Sequence, residues 1–132
     1  MFIGKLRAAG FMVALLSVSV LAQGPGKPLE PKRDAALEIA AKHNLEVARW
    51  YLIKRKAYEG ARDRLQEIID TYPDFSRMDE VLFLMGEAHL KLGKNDKASD
   101  YYAKLLKAYP DSEFSKKAQA RVDELKSATE KN

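Results

Sequence analysis

The chain of 132 residues contains no cysteine. Disulfides, thiol catalysis, zinc sites built on thiolates and attachment of lipid to a cysteine are therefore excluded as roles for these residues. Tryptophan occurs once and histidine twice. Beyond residue 33 the only prolines are Pro73 and Pro110, and the only glycines are Gly60, Gly86 and Gly93. No stretch alternates apolar and polar residues as a half-buried strand would. Charge of one sign is also missing, since 23 basic residues face 19 acidic ones for a net +4. A balance so close to neutral argues against a nucleic-acid partner, which calls for a concentrated basic face.

What is present begins with an address. Residues 1–22 read MFIGKLRAAGFMVALLSVSVLA, with Lys5 and Arg7 ahead of a charge-free run of 14 residues from Ala8 to Leu21. Val20-Leu21-Ala22 supplies a cleavage site, with a small or β-branched residue at the first and third positions before the cut, so the layout is that of a secretory signal peptide. The run falls short of the ~20 apolar residues that cross a bilayer comfortably. An uncleaved anchor is the alternative. Cleavage after Ala22 removes two cations and no acid, leaving +2. The expected location is the periplasm, and direct membrane contact is expected only if the signal is retained or through a partner. Residues 23–33, QGPGKPLEPKR, hold three prolines and two glycines and form a tether.

From Asp34 to about residue 127 the apolar pattern has a helical period, and residues 128–132 are expected to fray. Asp34 caps a first helix running to about Lys56, with Leu37, Ala41, Leu45, Ala48 and Leu52 on one stripe. A second helix spans about Tyr58 to Tyr72 and stops before Pro73. Ser76 is expected to cap a third, with Asp79 in an imperfect capping box, and Gly93 to end it near Leu92. A fourth spans Asn95 to Tyr109, and a fifth Phe114 to Ser127.

The chain matches itself when shifted by 37 residues: Leu45 falls on Leu82, Ala61 on Ala98, Tyr72-Pro73-Asp74 on Tyr109-Pro110-Asp111. A helix-turn-helix of this period is a solenoid signature. The expected fold is all-α: two helix-turn-helix units and a C-terminal capping helix whose outer faces carry Lys116, Lys117, Arg121, Asp123 and Glu124.

The unit resembles the tetratricopeptide repeat. The second unit supplies Leu82, Met85-Gly86, His89, Ala98, Tyr102, Leu105 and Pro110. The first supplies Leu45, Ala48, Arg49, Leu52, Ala61, Leu65, Ile68 and Pro73. Gly86 and Ala98 stand where the helices of one unit cross most closely. Arg49 departs from the small residue of the motif, and Gly60 is expected to leave room for its stem. Within that class, the V-A-R-W-Y-L pattern followed by Lys-Arg-Lys, and the repeated Tyr-Pro-Asp helix stops, resemble the C-terminal repeats of the BamD (YfiO-like) family. That resemblance implies a periplasmic scaffold that binds proteins and takes part in assembling β-barrels in bacterial outer membranes. Its partners would be the barrel-assembly machinery or other envelope proteins. Leu21-Ala22-Gln23-Gly24 occupies the region where that family carries its lipidated cysteine. A generic repeat adaptor of envelope or division complexes, of the YbgF type, shares the pattern and is the rival reading.

Catalysis has little to stand on. His43 and Glu46 offer two metal ligands at helical spacing without a third. Asp79-Glu80 and Asp123-Glu124 are neighbours on helices and point about 100° apart. There is no phosphate loop or nucleophile motif, so neither an enzyme nor a cofactor is expected; a hydrolase or metal-binding protein is a remote alternative. The expected protein-binding groove runs along the first helices of the two units: His43, Glu46, Trp50, Ile53 and Lys54, then Glu80, Phe83, Glu87, Leu90 and Lys91. Trp50, Ile53, Phe83 and Leu90 would form an apolar strip with a charged rim, the composition of an interface. The competing expectation is that the chain covers the strip itself. No asparagine clamp for a terminal carboxylate is present among these positions.

Overall fold

A computed structural model describes residues 33–131. The expected signal segment 1–22 and all of the tether but Arg33 lie outside the described residues. The described chain is helical throughout: α1 Ala35–Trp50, continued by a π-helical turn Tyr51–Arg55, then α2 Tyr58–Thr71, α3 Met78–Lys91, α4 Asn95–Ala108 and α5 Glu113–Thr129. Each helix packs on the next in the chain, and α5 also reaches back to α3. This is the expected all-α tetratricopeptide-like stack of two helical pairs closed by a fifth helix.

Local chemistry sets most of the ends. The Asp34 carboxylate accepts the Ala36 amide at 2.9 Å, satisfying one of the orphan donors of the first turn. Gly93 adopts φ +73°. The Gly93 amide donates to the Leu90 carbonyl and the Lys94 amide to the His89 carbonyl, the paired bonds of a Schellman stop. A side chain with a Cβ would strain this left-handed position.

Three boundaries differ from the sequence reading. The first helix does not run unbroken to Lys56: its last turn widens to π geometry and closes on Lys56 at φ 52°. The Ala57 amide then bonds back to the Tyr51 carbonyl at 2.9 Å. Ser76 does not cap α3. Its amide and hydroxyl both donate to the Glu38 carboxylate in α1, and Arg77 takes the cap position without a side-chain bond. At the other end α5 reaches Thr129 rather than fraying after Ser127. Ser112 caps α5 through the Phe114 amide at 3.1 Å, and the Thr129 hydroxyl donates to the Leu125 carbonyl at 3.0 Å.

One continuous core joins both units: Leu45, Ala48, Leu65 and Ile68 from the first, Val81, Leu82, Met85, Ala98, Tyr102 and Leu105 from the second, and Ala118 from α5. Ala61 is also fully buried. Pro73 and Pro110 sit exposed in the loops, as helix stops do. Gly86 answers a close approach, for a Cβ built there stands within 2.7 Å of three ring carbons of Tyr102. Two expectations fail. Gly60 makes room for the Tyr51 ring, 3.4 Å from its notional Cβ, not for Arg49. Leu37 leaves the internal stripe and is 51% exposed, because the loop after α2 meets this first turn at the adjacent Glu38. Leu52, within the π turn, is half-buried.

Candidate functional site

The ten expected groove residues separate into two groups. On α1 and the π turn, His43, Glu46, Trp50, Ile53 and Lys54 are all exposed. Trp50 is 49% and Ile53 63% exposed. Ile39, one helical turn before His43 and 70% exposed, extends the same face; its spacing of four from His43 could have revealed it. The Arg55 guanidinium lies 5.3 Å from the centre of the Trp50 ring, and the Tyr51 ring packs against the other aromatic at 5.5 Å. A tryptophan with a cation over its ring and a tilted ring beside it is partly preorganised, which lowers the entropy lost on binding.

On α3 the expected groove is filled from within. Glu80 is 5% exposed. Its carboxylate accepts from Arg49 Nε at 2.6 Å and from Arg77 at 2.5 Å, with a second, closer bond from the Arg49 guanidinium. Arg49, the departure from the repeat motif, thus crosses from α1 to α3. Glu87 accepts the Tyr102 hydroxyl at 2.6 Å and two bonds from Arg121 of α5 at 2.9 and 3.1 Å. That bonding, with burial first, raises the Tyr102 phenol far above its ordinary pKa, and the carboxylates of Glu87 and Glu124 hold the Arg121 charge in place. Phe83 lies between the Tyr102 ring at 6.0 Å and the Phe114 ring of α5 at 5.7 Å. Leu90 packs half-buried against the core and Lys91 is exposed. The strip expected from Trp50 to Leu90 is therefore divided: Trp50 and Ile53 are open, whereas Phe83 packs on the Phe114 ring of α5 and Leu90 is half-buried against the core.

His89 occupies the aromatic packing position of its repeat, 4% exposed and stacked on Tyr101 at 5.3 Å with planes 8° apart. Its Nδ1 has no hydrogen-bond partner. Burial, then Lys97, Lys94 and Arg62, holds the imidazole pKa below 6.5. The unfolded chain therefore binds this proton more readily than the folded one. Stability is expected to be complete near pH 7 and to fall as pH drops below about 6.5. Thermal melts across that window test this, and His89→Phe is expected to flatten the profile.

Among the described residues no three His, Asp or Glu side chains group to hold a metal ion, so His43 and Glu46 gain no further ligand. Nor is any described helix long and apolar enough to cross a membrane.

The model of a family described as YfiO, an outer membrane lipoprotein family, matches residues 32–105. The chain is 39% identical over 74 residues to the outer membrane protein assembly factor BamD of Haemophilus influenzae, covering 56% of this chain and 28% of that protein. It is 38% identical over 72 residues to BamD of Neisseria meningitidis, covering 54% and 27%. With BamD of Rickettsia prowazekii it shares 31% over 83 residues, covering 63% and 33%. The chain thus spans a third or less of the length of these curated relatives. The family match takes in α1 to α3 and most of α4, more than half of the chain, and on that ground the protein belongs to the YfiO outer membrane lipoprotein family.

Proposed function

We propose that the protein is a periplasmic binding scaffold that contributes to outer-membrane protein assembly by holding a protein partner on the exposed face of α1. The observation that carries this reading is the open aromatic-aliphatic surface of Ile39, Trp50 and Ile53 on a chain of this family. Large apolar side chains this exposed along one helix are the usual mark of an interaction surface. The family's description and the relatives' common title as assembly factors support the biological context. The expected signal peptide would deliver the chain there. Binding, not catalysis, is the role such a surface supports.

Trp50→Ala tests the proposal. It is expected to weaken partner binding by about 2 kcal/mol, roughly thirtyfold, as loss of a buried aromatic anchor does. The melting temperature is expected to move little, because Leu45, Ala48 and Leu65 stay packed without it. Barrel-assembly proteins captured from envelope extract by the wild-type chain and lost with the variant support the reading. A large fall in melting temperature with capture intact would overturn it. The short overlap with the relatives favours one second reading, a repeat adaptor serving another envelope complex; the identity of the captured proteins separates the two.

A further inference from the structure

On the other side of α3 from the site above, α2, α3 and α4 enclose a cleft of about 410 Å³. It shares no residue with the expected groove. Its size falls within the ~300–1,000 Å³ of ordinary ligand sites. Its lining is rich in cations. Arg62 is held by Asp63 at 2.9 Å, and Lys104 sits 4.8 Å from the centre of the Tyr101 ring. Lys94 and Lys97 form no ion pair among the described residues. Both stand at the start of α4, whose amino terminus has no side-chain cap, so the helix dipole adds positive potential at the same place.

A second observation comes from beneath. His89 lines this cleft, and its Nδ1 is the one buried side-chain nitrogen or oxygen among the described residues without a hydrogen-bond partner. Buried polar atoms are nearly always satisfied, and an exception calls for a physical reason. Here packing has left a titratable ring underneath cations that repel its proton. Arg62, Lys94, Lys97 and Lys104 outnumber the two carboxylates of the lining, Asp63 and Asp100, so the cleft carries an excess of positive charge.

We propose that the cleft between α2 and α4 receives a carboxylate-bearing segment of a protein partner. A glutamate or aspartate side chain seated between Lys94 and Lys97 pairs with both ammonium groups. It also relieves the repulsion at His89, so His89 takes up a proton more easily when the ligand is bound. Asp63 and Asp100 share the rim and oppose a doubly charged phosphate more strongly than a singly charged carboxylate. This surface is independent of the α1 face: either can fail without the other.

Imidazole NMR on the full-length chain reads the site directly, because the sequence holds only His89 and the exposed His43. Three probes are titrated: the peptide acetyl-Gly-Glu-Gly-Glu-Gly-amide, the same peptide with Gln for Glu, and inorganic phosphate. The Glu peptide is expected to shift the His89 and Tyr101 signals, raise the pH at which His89 titrates, and leave His43 unmoved. The Gln peptide is expected to do none of this. The doubly substituted Lys94→Gln/Lys97→Gln chain is expected to bind the Glu peptide about fivefold or more weakly, the scale of an exposed ion pair. Both lysines are exposed, so the melting temperature serves to show the variant folded. The proposal is overturned if millimolar Glu peptide leaves His89 unmoved, if the Gln peptide binds as well, or if the double substitution has no effect. It is equally overturned if phosphate binds more tightly than the Glu peptide, an outcome that would point to phosphorylated headgroups.

Discussion

Gly86→Ala is expected to lower the melting temperature by about 12–24 °C. The added methyl would stand within 2.7 Å of Cε1, Cδ1 and Cζ of Tyr102, a ring that is itself completely buried. The ring cannot swing aside, because its hydroxyl is bonded to Glu87 and its face is packed against Phe83. α3 and α4 must separate instead. Overpacking a core costs on the order of 1–3 kcal/mol, and a backbone-borne clash with a trapped aromatic belongs at the upper end. A domain of about 100 residues loses roughly 4–8 °C per kcal/mol. Gly60→Ala is the matched control: its Cβ meets the Tyr51 ring at an ordinary 3.4 Å, and helix propensity favours alanine there. If the two substitutions melt alike, the crossing of α3 and α4 is not where the structure puts it.

Arg49→Met is expected to destabilise the fold by about 3 kcal/mol, while Arg49→Met combined with Glu80→Met restores most of that loss. Glu80 is 5% exposed and shared by two arginines. Removing Arg49 leaves the carboxylate with Arg77 alone, whose own side chain is 40% exposed. Stranding a buried charge costs about 3–5 kcal/mol, and the surviving partner brings this example to the lower edge. Replacing both members of a buried pair with apolar groups of similar volume is often close to neutral. Urea titrations of the two single variants and the double variant close the cycle. Simple additivity of the single effects would mean that Arg49 and Glu80 do not hold each other.

These positions also mark how far the sequence alone could be read. The helical period, the 37-residue shift, Gly86, Gly93 and the Tyr-Pro-Asp stops are local or pairwise signals, and each found its place in the fold. Position on a first helix implies exposure, and on that ground the sequence places Glu80, Phe83 and Glu87 in an open groove. Arg49, 31 residues away, closes over Glu80, and Phe114 and Arg121 of α5 engage Phe83 and Glu87, which no period reveals. Ser76 misled for a related reason. A serine before a helix can cap locally, but the Glu38 carboxylate competes for the same hydroxyl and amide across 38 residues. The widened turn after Trp50 carries no sequence signal at all, since Lys56 is an unusual residue to hold a left-handed conformation.

The two polar knots lie one repeat apart and do the same thing. Arg49 to Glu80 ties the first helix of one pair to the first helix of the next, and Glu87 to Arg121 ties that helix to the closing one. The bonds span 31 and 34 residues. In a linear array the energetic coupling between neighbours decides whether units melt one by one or all together. Here each coupling term includes a charge that is costly to leave behind when its neighbour detaches. Opening the array from either end strands one of these charges, Glu80 or Glu87, so partial states are penalised and the short array is expected to unfold all or none.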